Sequence, residues 1–239
     1  MTGRMRIGHW KLWLAIGVLA VAVAVVGGPY VYIHFIEGSA PPPLTLATPS
    51  ATSSASETTS SGQATGASDQ TWKISSDSVV GYRVKEVLFG QSNVAVGRTN
   101  SISGSMKVSG TTVTAATFTV DMTTVSSDQS RRDGQFNGRI METSTFPTAT
   151  FALTQPIELG SVPAQGTKQT YQATGNLTLH GVTRTVTFNV TGLYTGSTAQ
   201  VAGSIPITFS DWNIPNPSFG PVSTEDHGVL EFALTFSAG

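Results

Sequence analysis

From residue 72 onward, apolar and polar side chains alternate repeatedly with a period of two, and no other feature limits the possible folds so tightly. Successive side chains of a strand point to opposite faces, so strict alternation marks one buried and one wet face. Residues 175–190, GNLTLHGVTRTVTFNV, hold two such runs. Leu177 and Leu179 alternate with Asn176, Thr178 and His180, and then Val186, Phe188 and Val190 with Thr185, Thr187 and Asn189. Between the runs Gly181, lacking a Cβ, can take the backbone angles of a tight bend. Residues 228–236 alternate as cleanly, with Leu230, Phe232, Leu234 and Phe236 on one face. Further runs fall at 72–76, 79–87, 101–108, 113–122, 149–154 and 200–209. Eight or more strands in succession without helices between them predict an all-β antiparallel barrel or sandwich. The 169 residues from 71 to 239 suffice for one domain with a sizeable core.

Residues 127–141, SDQSRRDGQFNGRIM, break the pattern. They lack β-branched alternation and begin with Ser and Asp, both good N-caps. Gly134 and Gly138 each cost a helix about 1 kcal/mol relative to Ala. The segment is therefore read as a short, glycine-interrupted helix or an irregular insertion.

The first 70 residues cannot form a domain of this kind. Residues 12–36 are almost wholly apolar, and as a helix they would rise about 37 Å, enough to cross a hydrocarbon core of about 30 Å. Arg4, Arg6 and Lys11 precede the run and Glu37 follows it, which places residues 1–11 in the cytoplasm and the remainder outside. Trp10, Trp13, Tyr30 and Tyr32 suit the two interfacial belts. A cleaved leader usually has an apolar core of about 7–15 residues, and Pro41-Pro42-Pro43 directly after Ser39-Ala40 would hinder cleavage, so a retained single-pass anchor is expected. Residues 37–70 turn to Pro, Ser, Thr, Ala and Gly and read as a flexible spacer, since such a stretch buries too little surface to offset chain entropy.

Charge and composition narrow the function. The chain carries 13 basic and 14 acidic residues, a formal net charge of −1. A nucleic-acid partner calls for a basic excess, which is absent. The sequence has no cysteine, which excludes disulfides, thiolate metal sites and cysteine nucleophiles. There is no G-x-S-x-G, S-x-x-K or H-E-x-x-H, each of which would join a nucleophile to its base or pair two metal ligands. Glu225-Asp226-His227 sits in a turn-rich stretch and reads as a solvated acidic loop. No catalytic residue, metal ligand or cofactor is expected.

Four segments in the domain carry a further signal. Trp72-Lys73-Ile74 with Ser78 opens it, and Arg132-Asp133 follows the early strands. Phe146-Pro147-Thr148-Ala149-Thr150-Phe151 comes next, then LTLHGVTR at residues 177–184. In this order, over most of 71–239, the domain resembles the YceI-like family, whose members bind polyisoprenoid lipids in an extended lipocalin-like β-barrel. Asp77, Glu86 and Gln135 stand where that family usually has histidines, so imidazole contacts are not carried over to those positions. The resemblance implies an extended antiparallel lipocalin-like barrel with one short helix or insertion. Together with the anchor expected at residues 12–36, it implies a membrane-anchored, extracytoplasmic binding protein for an isoprenoid lipid such as a quinone or polyprenyl carrier.

An eight-stranded barrel has a bore just wide enough for side chains or one slender ligand. Inward candidates are Tyr82, Phe118, Phe136, Phe146, Phe151, Phe188, Trp212, Phe219 and Phe232, with the aliphatic Leu177, Leu179 and Val186. They would either line a tunnel or fill a closed core, the latter suiting a structural or interaction protein without lipid. Arg132, Asp133, His180 and Arg184, beside bends in the matching motifs, are the candidates for a polar headgroup. A lipid-modifying enzyme is the remaining and weakest alternative, and association with a second copy of the chain stays open.

Overall fold

The computed structural model describes residues 9–31, 40–46, 69–88 and 90–239. Helix α1 runs His9–Val31, and the placed side chains of Trp13, Leu14, Ile16, Val18, Leu19, Val21 and Val23 are exposed. Among the described residues no helix is long and apolar enough to cross a membrane. The outer end of the expected span, residues 32–36, and most of the expected spacer lie outside the described residues. Residues 40–46, within that spacer, lie instead against the folded domain, where Leu46 is buried with Leu193, Ala202 and Ala233.

The domain is one antiparallel sheet closed on itself. Its strands are β1 (Gln70–Ile74), β2 (Val79–Leu88), β3 (Gln91–Thr99), β4 (Ile102–Ser109), β5 (Thr112–Asp121) and β6 (Thr148–Leu153). After these come β7 (Ile157–Glu158), β8 (Lys168–Leu179), β9 (Val182–Tyr194), β10 (Thr198–Thr208), β11 (Val222–Thr224) and β12 (His227–Ala238). Hydrogen bonding runs β1-β4-β5-β6-β8-β9-β10-β12, and β12 returns to β1. β1 and β2 follow one another along the same edge of β12, pairing Ile74 with Phe236 and Val79 with Ala233. β3 and β4 form the next wall strand in the same way, so the barrel has eight staves.

The joint between β1 and β2 is where a strand must bend without losing its partner. Ser78 makes this possible. Wholly buried, it donates from Oγ to the Thr235 carbonyl at 3.3 Å and accepts from the Thr235 N–H at 3.0 Å. Asn100 Nδ2 donates to the Ser78 carbonyl at 2.9 Å and ties down the matching joint between β3 and β4. A hydroxyl thus replaces the ladder bonds that the kink removes.

β3 has no counterpart among the expected strands. Ala95, Val96 and Gly97 are buried in succession, so both faces of this strand are covered and no alternation shows. β8 and β9 extend beyond 175–190 to Lys168 and Tyr194, joined by a two-residue turn in which His180 (φ 47°) and Gly181 (φ 73°) are both left-handed. That is the turn whose twist suits a hairpin. The expected insertion is α2 (Ser130–Gln135), followed directly by a π-helical turn, Phe136–Ile140. Its N-cap is Gln129, and Asp133 rather than a capping Ser or Asp organises the approach, accepting from the Ser127 N–H at 2.8 Å and its hydroxyl at 2.6 Å.

The wall has one split. β9 and β10 stay paired only from Tyr194↔Ala199 to Val190↔Gly203, while β10 continues to Thr208 along β12. Pro206, which has no N–H to offer a ladder, lies beyond the last β9 pairing. A helical turn, Phe209–Trp212, covers the gap, and Trp212 is 3% exposed with its indole N–H 3.5 Å from the Leu177 carbonyl. Trp212→Ala should therefore lower stability by about 3–5 kcal/mol, measured as a fall in the urea midpoint. A change below about 1 kcal/mol would show that Trp212 does not close the wall.

Candidate functional site

The β2–β3 and β8–β9 turns, α2 and the loop from β10 to β12 gather at one end of the barrel, here the upper end. The β4–β5 and β9–β10 turns and residues 154–167 form the lower end. An apolar cavity runs along the bore between them in two chambers, of about 340 Å³ below and about 550 Å³ above. Val80, Val120, Ala149 and Leu230 line both chambers and mark the waist. Each chamber lies in the size range of small-molecule pockets, roughly 300–1,000 Å³.

The bore stays open because its rings lie along the wall. A Cβ added at Gly97 would come within 2.3 Å of the Tyr82 ring, and one at Gly203 within 2.7 Å of Phe232. Each aromatic covers a glycine on the neighbouring strand (Tyr82↔Gly97 and Phe232↔Gly203 are direct pairs) and so gives up little of the lumen. Phe118 and Phe151 cover Gly104 and Gly175 in the same manner. In the lower chamber the rings join into a belt: Phe236–Phe118 at 5.8 Å, Phe118–Phe151 at 6.3 Å, Phe151–Phe188 at 5.5 Å and Phe188–Phe232 at 5.9 Å. In the upper chamber Tyr82 stacks on Phe136 at 5.1 Å.

Of the inward candidates, Tyr82, Phe118, Phe136, Phe151, Leu177, Leu179, Phe188 and Phe232 line the cavity. Phe219 stands at the upper rim, 53% exposed. Phe146, Val186 and Trp212 depart from the expectation and line neither chamber. Phe146 caps the β8–β9 turn, edge-on to His180 at 4.5 Å and against Gly181. Val186 packs on the core without reaching the lumen, and Trp212 is committed to sealing the wall.

The four polar candidates do not converge. Arg132 alone faces the cavity. Asp133 is held by Ser127, as described above. His180 places Nδ1 3.3 Å from the Trp212 carbonyl, and Arg184 donates from Nε to the Asp211 carbonyl, with the Asp211 carboxylate 3.8 Å from its Nη2. His180 and Arg184 thus bind the Phe209–Trp212 turn to the β8–β9 hairpin and are not mouth groups.

The polar centre of the upper chamber is a set that periodicity did not single out. Glu86 lies on the inward row of β2 beside Val84 and Leu88, 9% exposed. It accepts from Asn93 Nδ2 at 2.9 Å and from Arg132 Nη2 at 3.3 Å, while Arg132 also donates to Asp128. A carboxylate in an apolar wall is costly unless paired and hydrogen-bonded. Burial works against the charged Arg132 guanidinium, but Glu86 and Asp128 outweigh it and raise its pKa above the ordinary value. The Tyr82 phenol is pushed well above its usual value, chiefly by burial, with Arg132 opposing. At the rim, Arg139 donates to the carbonyls of Asn216 at 3.3 Å and Pro217 at 2.9 Å and lies 5.8 Å from the centre of the Phe219 ring. It clamps the helical insertion to the proline-rich loop.

Among the described residues no group of three or more His, Asp or Glu side chains could hold a metal ion. Glu225, Asp226 and His227 form an exposed cluster, with His227 Nδ1 2.8 Å from Asp226 and Nε2 3.1 Å from Glu225. The hydrogen bond from His227 is the main cause of a lowered Asp226 pKa.

The domain is a closed antiparallel barrel with a lengthwise apolar bore and a buried polar cluster at its upper end. The sequence model of the YceI-like domain matches residues 72–236, and the chain belongs to that family. A polyisoprenoid-binding domain from Saccharophagus degradans implicated in plant cell wall breakdown has the same fold. It is 18% identical, with a TM-score of 0.58 over 71% of this chain and 98% of that one. BcnA of Burkholderia cenocepacia is 26% identical over 64% of this chain and 95% of that one, with a TM-score of 0.49. A Campylobacter jejuni YceI protein is 12% identical over 56% of this chain and 80% of that one, with a TM-score of 0.41. No curated protein matches the chain.

The Tyr82 phenol provides a pH test. Its folded pKa is raised, so the stabilisation it contributes is complete below the unfolded value of about 10 and is lost as pH rises above it. Between pH 9 and 11 the melting temperature of the wild type should fall by at least about 2 °C more than that of Tyr82→Phe. Parallel curves for the two proteins would contradict the burial of the phenol.

Proposed function

We propose that this protein binds one isoprenoid lipid along its bore, its chain in the ring-belted lower chamber and its polar end near Arg132 and Glu86. The observation that carries this reading is the pair of apolar chambers that meet at the waist of the bore, with a buried ionic cluster in the upper one. An isoprenoid chain is a slender apolar rod, and its burial contributes about 0.8 kcal/mol per CH₂. Rings laid against the wall accept such a rod without directional contacts, and the guanidinium can donate to a quinone oxygen or a phosphate. The polyisoprenoid-binding relative with the same fold supports the ligand class. No metal, cofactor or catalytic step is part of this reading.

The anchoring of the domain belongs to the same proposal. The apolar run at 12–36 and its basic flank of Arg4, Arg6 and Lys11 support a single-pass helix with its N-terminus in the cytoplasm and the barrel outside. On this reading the barrel withdraws or holds lipid from the leaflet in which its own anchor sits.

Full-length protein purified in mild detergent should release a prenyl lipid on organic extraction, and native mass spectrometry should show it bound one to one. Phe188→Trp adds bulk in the belt and should reduce bound lipid at least tenfold while leaving far-UV circular dichroism unchanged. A folded protein that carries no lipid and takes up neither quinone nor polyprenol from loaded vesicles would overturn the proposal.

A further inference from the structure

The outer wall of the barrel carries a second buried carboxylate. Glu231 lies between Leu230 and Phe232 on β12, which both face the bore, and its own side chain points outward, yet the residue is only 3% exposed. Arg98 reaches it from β3, Nη2 to Oε1 at 2.9 Å, and Arg83 from β2, Nε to Oε2 at 3.4 Å. Residues 40–46 cover this trio. Arg83 Nη2 donates to the Pro41 carbonyl at 2.6 Å and Arg98 Nη2 to the Pro42 carbonyl. The Leu44 N–H then donates to Glu231 Oε2 at 3.2 Å.

The chemistry of the two partners is complementary. Pro41, Pro42 and Pro43 present carbonyl acceptors and no N–H, and guanidinium groups present donors and no acceptor. Leu44 offers the first free N–H after the prolines, and it meets the one carboxylate in the trio. Beyond it, Leu46 is 7% exposed against Leu193, Ala202 and Ala233, while Thr45 points to solvent. Lys168 Nζ donates to the Leu46 carbonyl at 3.3 Å. Carbonyl, carbonyl, N–H and an apolar side chain are each read by a separate wall residue.

We infer that the outer wall formed by Arg83, Arg98, Glu231, Lys168 and the Leu193–Ala202–Ala233 hollow is a peptide-binding site, and that its ligand is the chain's own Pro41–Leu46 segment. Docking shortens the tether. Val31, the last residue of α1, is joined to Ala40 by eight residues, which reach at most about 30 Å. A tether free as far as Gln70 would reach about 130 Å. The site therefore holds the barrel close to α1 and fixes which side of its wall faces the helix. This inference is independent of what the bore contains.

The chain has no cysteine, so spin labels can be placed at Thr45→Cys and Thr119→Cys, both exposed, without other substitution. Full-length protein in nanodiscs should give one narrow distance distribution by pulsed electron resonance. Adding Leu46→Asp, which alters the peptide and no barrel residue, should at least double its width while leaving the melting temperature of the barrel within about 2 °C. Arg83→Ala with Arg98→Ala should broaden it likewise. A broad distribution in the parent protein, or a narrow one that persists in Leu46→Asp, would overturn the inference.

Discussion

β12 is the strand on which the rest of the barrel depends. One of its edges pairs continuously with β10, from Thr198↔Ser237 to Thr208↔His227, and the other is divided between β2 and β1. A sheet that closes leaves no edge of unpaired N–H and C=O groups, but the strands must bend to meet. Here the bend falls between β1 and β2, and Ser78 bonds both backbone groups of Thr235 across it. Closure fixes the bore, and the bore fixes which side chains can meet inside it. Phe232 and Phe236 on β12 therefore begin and end the belt of rings, although no local property of β12 requires it.

The bore is open for a simple steric reason. An inward aromatic on every strand would ordinarily fill a barrel of this size. Glycines at 97, 104, 175 and 203 remove the neighbouring Cβ atoms and let four rings lie flat. The same wall then carries two buried carboxylates, one on each face. Glu86 points in and is met by Arg132, while Glu231 points out and is met by Arg83 and Arg98. Burying a carboxylate in a β-sheet is costly without a partner, and here guanidinium donors arrive from other strands or from α2. The inner pair gives the cavity its only buried ion pair among the described residues, and the outer trio gives the wall a docking point.

Much of the fold was legible because a two-residue period reports directly on which face of a strand is buried. Alternation puts Leu177, Leu179, Val186, Phe188 and Phe232 on the inward faces, and all but Val186, which packs on the core short of the lumen, line the cavity. The bend at His180-Gly181 was legible from the glycine. β3 was not, because covering both of its faces erased the alternation. Phe146 and Trp212 were misplaced for a related reason: an aromatic outside a regular strand has no period, and its direction is set by the gap it happens to close.

The sequence by itself determined most of the strands, many of their inward faces, the two-residue turn of the central hairpin and the break at 127–141, since each follows from local spacing and backbone preference. It also set the donor and acceptor pattern of Pro41–Leu46, because prolines without N–H groups offer only carbonyls. Tertiary structure alone decided that this pattern meets Arg83, Arg98 and Glu231, and that Glu86 meets Arg132. Arg83 and Glu231 are 148 residues apart, and Leu44 and Glu231 are 187 apart. A solvated charge and a buried, paired one look alike in sequence, and only closure of the sheet brings their partners within bonding distance.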